Sequence, residues 1–301
     1  MSERTGLGPL EAAVLRLLDD LGAGWQAGYQ RTTRLLDRLE HDHHLGARYT
    51  YPLVQDLGAR WRLHLPLLDC NGNWGGAQGG PAADPRYTEL RLSPVGALAL
   101  AAEREQNGPL PLGLIEGSLY RGGPVPPFAP IDIVAALSGI VAYAAPPRLP
   151  TGGTVTGDIA GLLAGQPARL TLGCTIITEG ASLVITEVPL GVPVSVREIS
   201  EYLANRLSRT GRPRPSVIFP NAPVLPQPWR ITDESSARSG IRIVCTPPAS
   251  LDESVAFADL RDVWPVSISV DCQLPAPMTE RLAAWDHGDG TGLVALSNLL
   301  A

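Results

Sequence analysis

Lysine is absent from this sequence: all 24 basic residues are arginine. Beside the abundance of Ala, Gly, Pro and Leu, that marks a genome rich in G and C rather than a function. Positive charge is also short, because 30 acidic residues leave a net charge of −6. This excludes a simple nucleic-acid coat protein, which needs a basic surface to neutralise phosphates. Cysteine is sparse: Cys70, Cys174, Cys245 and Cys272 stand singly, with no Cys-x-x-Cys spacing. Neither a zinc site nor a disulfide framework is indicated, and free thiols suit a cytoplasmic protein. No apolar run reaches the roughly 18–20 residues of a membrane span, and no basic-then-apolar signal pattern opens the chain. There is no Walker loop, internal repeat or heptad run, and the carboxylates are dispersed, so no metal is expected to be bound by this chain itself.

What is present suffices for real cores. The 301 residues are 44% hydrophobic and 18% charged, a globular composition with room for one large or two modest domains. Leu7, Leu10, Val14, Leu17, Leu18 and Leu21 recur at helical spacing, with Gly22 and Gly24 as a stop. Thr32–Leu39 places Leu35, Leu36 and Leu39 on one helical face and arginines on the other. A third helix is expected over Tyr51–Leu57, with Pro52 in its first turn, and then a strand-like Leu63–Leu68. That order matches a winged helix-turn-helix. Across residues 31–62, Arg31, Arg34, Arg38, Arg48, Arg60 and Arg62 face Asp37, Glu40, Asp42 and Asp56. On charge alone, a solvated helical face accounts for so weak a patch.

A Pro/Gly-rich connector follows from Pro109 to Pro130. From Pro150 the texture changes. Thr154–Ile159, Arg169–Ile177, Ser182–Val188 and Ile241–Val244 are β-branched runs broken by Gly and Pro, and Ser195–Ser208 is an amphipathic helix pattern. This half reads as α+β.

The stretch with most chemical content is Leu68–Leu92. Five glycines (Gly72, Gly75, Gly76, Gly79 and Gly80) make a loop that runs into a short helix start, where Tyr87 stands between Arg86 and Arg91. Glycines let backbone approach a ligand closely, and a hydroxyl between arginines suits a phosphate. A surface loop with an amphipathic tyrosine explains the same residues.

Two segments of this stretch, Leu68–Gly75 and Arg86–Leu92, resemble the breakage-reunion domain of type IIA DNA topoisomerases, the A subunits of gyrase and topoisomerase IV. That family reads V-D-G-Q-G-N-F-G and then A-A-x-R-Y-T-E-x-R-L. The resemblance extends to Gly6–Leu15, against D-G-L-K-P-V-H-R-R-V-L, and to Trp25–Arg34, against W-x-x-x-Y-K-K-S-A-R. In both, scaffold residues match and charged ones mostly do not. Gly117-Ser118 and Val125-Pro126-Pro127 are similar to a shortened N-G-S-S-G…N-I-P-P. Glu187-Val188-Pro189 resembles E-I-P, and Asp233-Glu234-Ser235…Ser239–Val244 resembles R-D-E-S-D…G-M-R-I-V-I, with Thr232 in place of the first Arg.

The resemblance implies a chemistry. Tyr87 falls on the family's nucleophile, whose hydroxyl attacks a DNA phosphodiester to give a 5′-phosphotyrosine and a free 3′-OH. Arg86 is retained beside it. A tyrosine has a pKa near 10, so cationic neighbours and Mg²⁺ held by a partner subunit's TOPRIM domain must assist. The family's H-R-R is Glu11-Ala12-Ala13 here, which removes positive charge from the scissile phosphate. DNA contacts are expected from Arg31, Arg34, Arg48, His43 and Val125. Val125 takes the place of an isoleucine that wedges between base pairs, although a proline-framed linker residue fits it as well. His43 and His44 fall near H-P-H-G-D and read equally as exposed turn residues. Arg48 and Pro52 replace the serine and acid that hold quinolones through a water–Mg²⁺ bridge, so no drug-stabilised complex is expected.

The sequence therefore predicts an α+β protein. Its expected parts are a winged-helix DNA-gate domain (1–110), a connector with a helix (111–149) and a tower-like domain (150–301), without coiled coil, exit gate or wrapping domain. Three readings stay open. The first is a gyrase-A-like binder of double-stranded DNA without full strand passage. The second is an active cleavage subunit using Tyr87 with a gyrase-B-like TOPRIM/ATPase partner. The third is a decoy or regulator of such subunits. A weak homodimer built from residues within 1–130 and a nucleoid-associated, non-membrane location are expected.

Overall fold

The computed structural model describes residues 7–77, 80–105, 125–139, 144–188, 229–236, 240–249, 251–252, 254–256, 258, 267–286, 294 and 296–298. The Ser195–Ser208 helix pattern and most of the Pro/Gly-rich connector lie outside them. The described elements are helices and antiparallel sheets, an α+β architecture as expected.

Helix α1 (Pro9–Asp20) starts where Pro9 needs no donor, and the Glu11 carboxylate accepts from the Gly8 N–H. It ends as its glycines foretell. Gly22, at φ 74°, bonds the Asp19 carbonyl, and Ala23 bonds that of Leu18. Strand β1 (Gln30–Arg31) runs directly into α2 (Thr32–His43), whose Leu35, Leu36 and Leu39 are buried. His44 closes α2 in the left-handed conformation, its N–H on the Glu40 carbonyl.

Helix α3 (Ala47–Gly58) begins four residues earlier than the sequence suggests, which places Pro52 inside it rather than in the first turn. Proline there forfeits one bond, to the Arg48 carbonyl, and both residues are exposed. Burial of Thr50, Val54 and Leu57 holds the helix despite that loss.

The strand expected from Leu63 starts only at Leu68. The N–H groups of Arg62 and Leu63 turn back to the Ala59 carbonyl, that of Leu67 bonds Leu57, and Pro66 has no donor for a ladder. Strand β2 (Leu68–Asn71) pairs antiparallel with β3 (Glu89–Leu92), Leu68 opposite Leu92 and Asn71 opposite Glu89. Strand β3 also pairs with β1, giving a sheet of order β1-β3-β2. Period-two alternation buries Leu90 and Leu92 and leaves Glu89 and Arg91 half-buried. Ser93 caps α4 (Pro94–Glu105) through the Gly96 N–H and donates to the Pro66 carbonyl. One apolar cluster, including Val14, Leu15, Leu18, Leu35, Val54 and Leu90, fastens these elements together.

The later part has two antiparallel sheets. Helix α5 (Pro130–Leu137) precedes β4 (Thr154–Gly157), a short α6 (Ile159–Leu163) and β5 (Ala168–Gly173). Strand β10 (Ser267–Cys272) completes the order β10-β5-β4, before α7 (Met278–Asp286). The run Arg169–Ile177, continuous by residue type, is divided between sheets at Cys174-Thr175. There the Thr175 carbonyl accepts from Thr186, and its hydroxyl donates to the Gly152 carbonyl. Strand β6 (Ile176–Glu179) joins β7 (Ser182–Ile185), β9 (Ile243–Thr246) and β8 (Arg230–Asp233) in the order β6-β7-β9-β8. A second apolar cluster, including Phe128, Ile133, Leu170, Met278 and Leu282, packs beneath β5 and β10. Leu65 touches both clusters.

Candidate functional site around Tyr87

Tyr87 ends a single 3-10 turn, Pro85–Tyr87, where the β2–β3 loop returns to the sheet. The helix start read from sequence is this one turn, and strand β3 follows at once. The loop before it is pinned by local polar groups. Asn73 accepts from Ala83 N–H through its carbonyl (2.9 Å) and from Gly75 N–H through its side chain (3.0 Å). Trp74 donates to the Asn71 carbonyl (2.9 Å) and packs 5.8 Å from the Tyr51 ring, whose hydroxyl donates to the Ala83 carbonyl (2.7 Å).

The far side is tied more firmly. Thr88 is fully buried; its hydroxyl donates to that of Thr32 (2.8 Å), and Thr32 donates to the Thr88 carbonyl through both N–H (3.0 Å) and hydroxyl (2.9 Å). Gly72 stands at φ 99° with the Tyr87 carbonyl 2.9 Å from where a Cβ would be, so only glycine fits. Tyr87 itself is 71% exposed, an open ring on a held backbone.

The charges divide in a way the sequence hides. Arg86 pairs with Asp84, Nε to Oδ1 at 2.9 Å and Nη2 to Oδ2 at 3.3 Å, and its guanidinium lies 5.8 Å from the Tyr87 ring centre. Those bonds hold the Asp84 carboxyl below its usual range and raise Arg86. Arg91, nominally the other flank of Tyr87, is spent elsewhere. It bonds Asp69 (2.9 Å) and the Ala27 carbonyl (3.0 Å) and stacks 4.5 Å from the Tyr29 ring centre. Tyr29 donates to the same Asp69 oxygen at 2.8 Å, and that bond raises its pKa. No local pattern announces this trio, although Tyr29 and Asp69 both stand in matched motifs.

The chain is 28% identical over 229 residues to the DNA gyrase A subunit of Aminobacterium colombiense, covering 62% of this chain and 28% of that protein. It is 25% identical over 317 residues to the chloroplastic/mitochondrial DNA gyrase A subunit of Nicotiana benthamiana, covering 90% of this chain and 32% of that protein. The chain is gyrase-A-like. A shorter stretch of 93 residues is 33% identical to the DNA gyrase A subunit of Streptomyces coelicolor, covering 31% of this chain and 11% of that protein. No protein-family model matches. The chain spans about a third of the length of the first two relatives, 28% and 32%.

Within this gyrase-A-like chain, the structure brings some site candidates to Tyr87 and leaves others apart. Arg31, exposed at the N-cap of α2, stands opposite Glu89 in the sheet, beside the Thr32–Thr88 tie. Arg34 follows on the first turn, exposed, with Nη1 on the Gln30 side chain at 3.1 Å. His43, exposed, is at the other end of α2, about 18 Å along the axis from Arg31 at 1.5 Å per residue. Arg48 is exposed in the first turn of α3. Among the described residues neither Arg31 nor Arg48 has an ion-pair partner. Val125 is half-buried against the second apolar cluster, remote in sequence from these groups. Glu11, Ala12 and Ala13 are all buried in α1, at 6%, 6% and 2% exposure, so the positions without arginine are interior ones.

Proposed function

We propose that this gyrase-A-like chain binds double-stranded DNA through the surface that carries Arg31, Arg34, Arg86 and Tyr87, without performing full strand passage. The observation that carries the reading is the register of Arg31 opposite Glu89, which sets a cation with no ion-pair partner among the described residues beside the turn that presents Tyr87. The order α1-β1-α2-α3-β2-β3, with its three-stranded sheet, supports a winged-helix module at 1–110. Residues 111–149 would then be the connector and 150–301 the tower-like part. Arg48 and His43 extend the surface along α3 and the end of α2, and Val125 serves as the candidate wedge.

A second reading, cleavage through Tyr87, draws on the exposure of that ring on a fixed backbone. The Tyr87 hydroxyl would attack the phosphodiester, forming a bond to phosphorus as the 3′ oxygen leaves and takes a proton. The donor set here does not fit Mg²⁺: among the described residues no three His, Cys, Asp or Glu side chains converge on one point, beside Tyr87 or elsewhere. A gyrase-B-like partner with a TOPRIM domain would therefore have to supply the metal.

Duplex binding measured against salt tests the first reading. Arg31→Ala and Arg34→Ala should each weaken binding and flatten the log–log slope by about 0.9, one phosphate contact. Salt-independent or absent binding would sink it. Covalent adducts formed with Mg²⁺ and a gyrase-B-like partner by wild type, and not by Tyr87→Phe, would establish the second. Effects on partner binding alone would point to a regulator.

A further inference from the structure

We infer that Asp84 is a built-in competitor for Arg86: its carboxylate fills the guanidinium fork that a DNA phosphate would use, so phosphate must displace it to engage beside Tyr87. The inference rests on the DNA-binding reading and adds a regulatory element to that same site.

The geometry is that of an occupied anion site. Asp84 Oδ1 accepts from both the backbone N–H (3.1 Å) and Nε (2.9 Å) of Arg86, while Oδ2 accepts from Nη2 at 3.3 Å. Two parallel bonds from one edge of a guanidinium are also how arginine grips a phosphate. The clamp needs little ordering, because Pro85 fixes φ between the two residues and the 3-10 turn sets both side chains on one side. Asp84, Arg86 and Tyr87 thus form one chain of contacts, since the same guanidinium lies over the Tyr87 ring.

The clamp is also displaceable. Side-chain exposures of 66% for Arg86 and 48% for Asp84 put the pair in water, where such bridges are weak. A duplex that also meets Arg31 and Arg34 brings several phosphates at once, whereas a lone phosphate competes one for one. Asp84 therefore sets how much additional contact is required before Arg86 opens.

Asp84→Asn isolates this role. An asparagine Oδ1 can still cap the Arg86 N–H, so the turn survives while the charged fork partner is lost. Duplex binding across a salt series is measured for the full chain as wild type, Asp84→Asn, Arg86→Ala and the double variant. Asp84→Asn should tighten binding about two- to fivefold at low salt, the range of an exposed ion pair. Its salt slope should steepen by up to about 0.9 as Arg86 becomes a full phosphate contact. In the Arg86→Ala background the same change should do nothing. An equal gain with and without Arg86 would mean general charge removal and overturn the clamp. Salt-dependent wild-type binding unchanged by Asp84→Asn overturns the clamp alone; no binding by either overturns the DNA reading with it.

Discussion

The hydroxyls of Thr88 and Thr32 meet at 2.8 Å, 56 residues apart in sequence and both at 0% exposure. This contact joins the residue after Tyr87 to the first residue of α2. It makes the position of the exposed ring a property of the core.

Thr88→Val should lower stability by about 1–2 kcal/mol, the cost of a lost buried hydroxyl bond with the chain volume kept. Thr32→Val removes a donor from the Thr88 carbonyl and should cost as much. Because both remove the same shared bond, the double variant should lose less than the sum. Urea midpoints at constant m-value read this directly. Strict additivity would mean the hydroxyls do not interact.

Gly72→Ala should destabilise by about 1–3 kcal/mol, from strain at positive φ and contact with the Tyr87 carbonyl. Gly28→Ala is the control, since a Cβ there meets nothing within 4 Å. Equal urea midpoints for the two variants would remove Gly72 from the account of how Tyr87 is held.

Tyr29 should titrate above its ordinary value of 10.0, chiefly because its hydroxyl donates to Asp69. A raised pKa means the folded state keeps this proton longer. Its stabilisation is complete below pH 10.0 and lost as pH rises through the folded value. Wild type should thus lose stability in alkali more steeply than Tyr29→Phe. Parallel curves would show that the bond contributes nothing.

Glu187 carries a pH dependence of the same sign near neutrality. Its Oε2 and the neighbouring Thr151 hydroxyl oxygen are buried without a well-formed bond, and burial pushes the carboxyl up to about 7. The folded state holds a proton that the unfolded chain releases near 4.5, so stability should fall as pH rises from about 4.5 to about 7. Glu187→Gln should flatten that segment and leave the protein more stable than wild type above it. Unfolding midpoints across this range decide the matter; an unchanged slope would assign it to other groups.

The sequence by itself determined what short-range periodicity and local chemistry can encode. The α1 stop at Gly22, the amphipathic face of α2, the α+β class and the Arg86-Tyr87-Thr88-Glu89 signature of a gyrase-A-like chain were all legible, because each depends on neighbours a few residues away. The tertiary structure alone decided which side chains those neighbours would leave free. Arg91 looks like a flank of Tyr87, yet strand alternation turns it to Tyr29 and Asp69, and Asp69 is 22 residues away. Ala12 and Ala13 look like missing surface charges, yet α1 buries them. Helix α3 reaches back past Pro52 because Thr50, Val54 and Leu57 have a core to enter, and packing outweighs a proline's single lost bond. The run after Arg169 splits at Cys174 because its two halves find partners in different sheets, and partner choice is a long-range contact that no local pattern records.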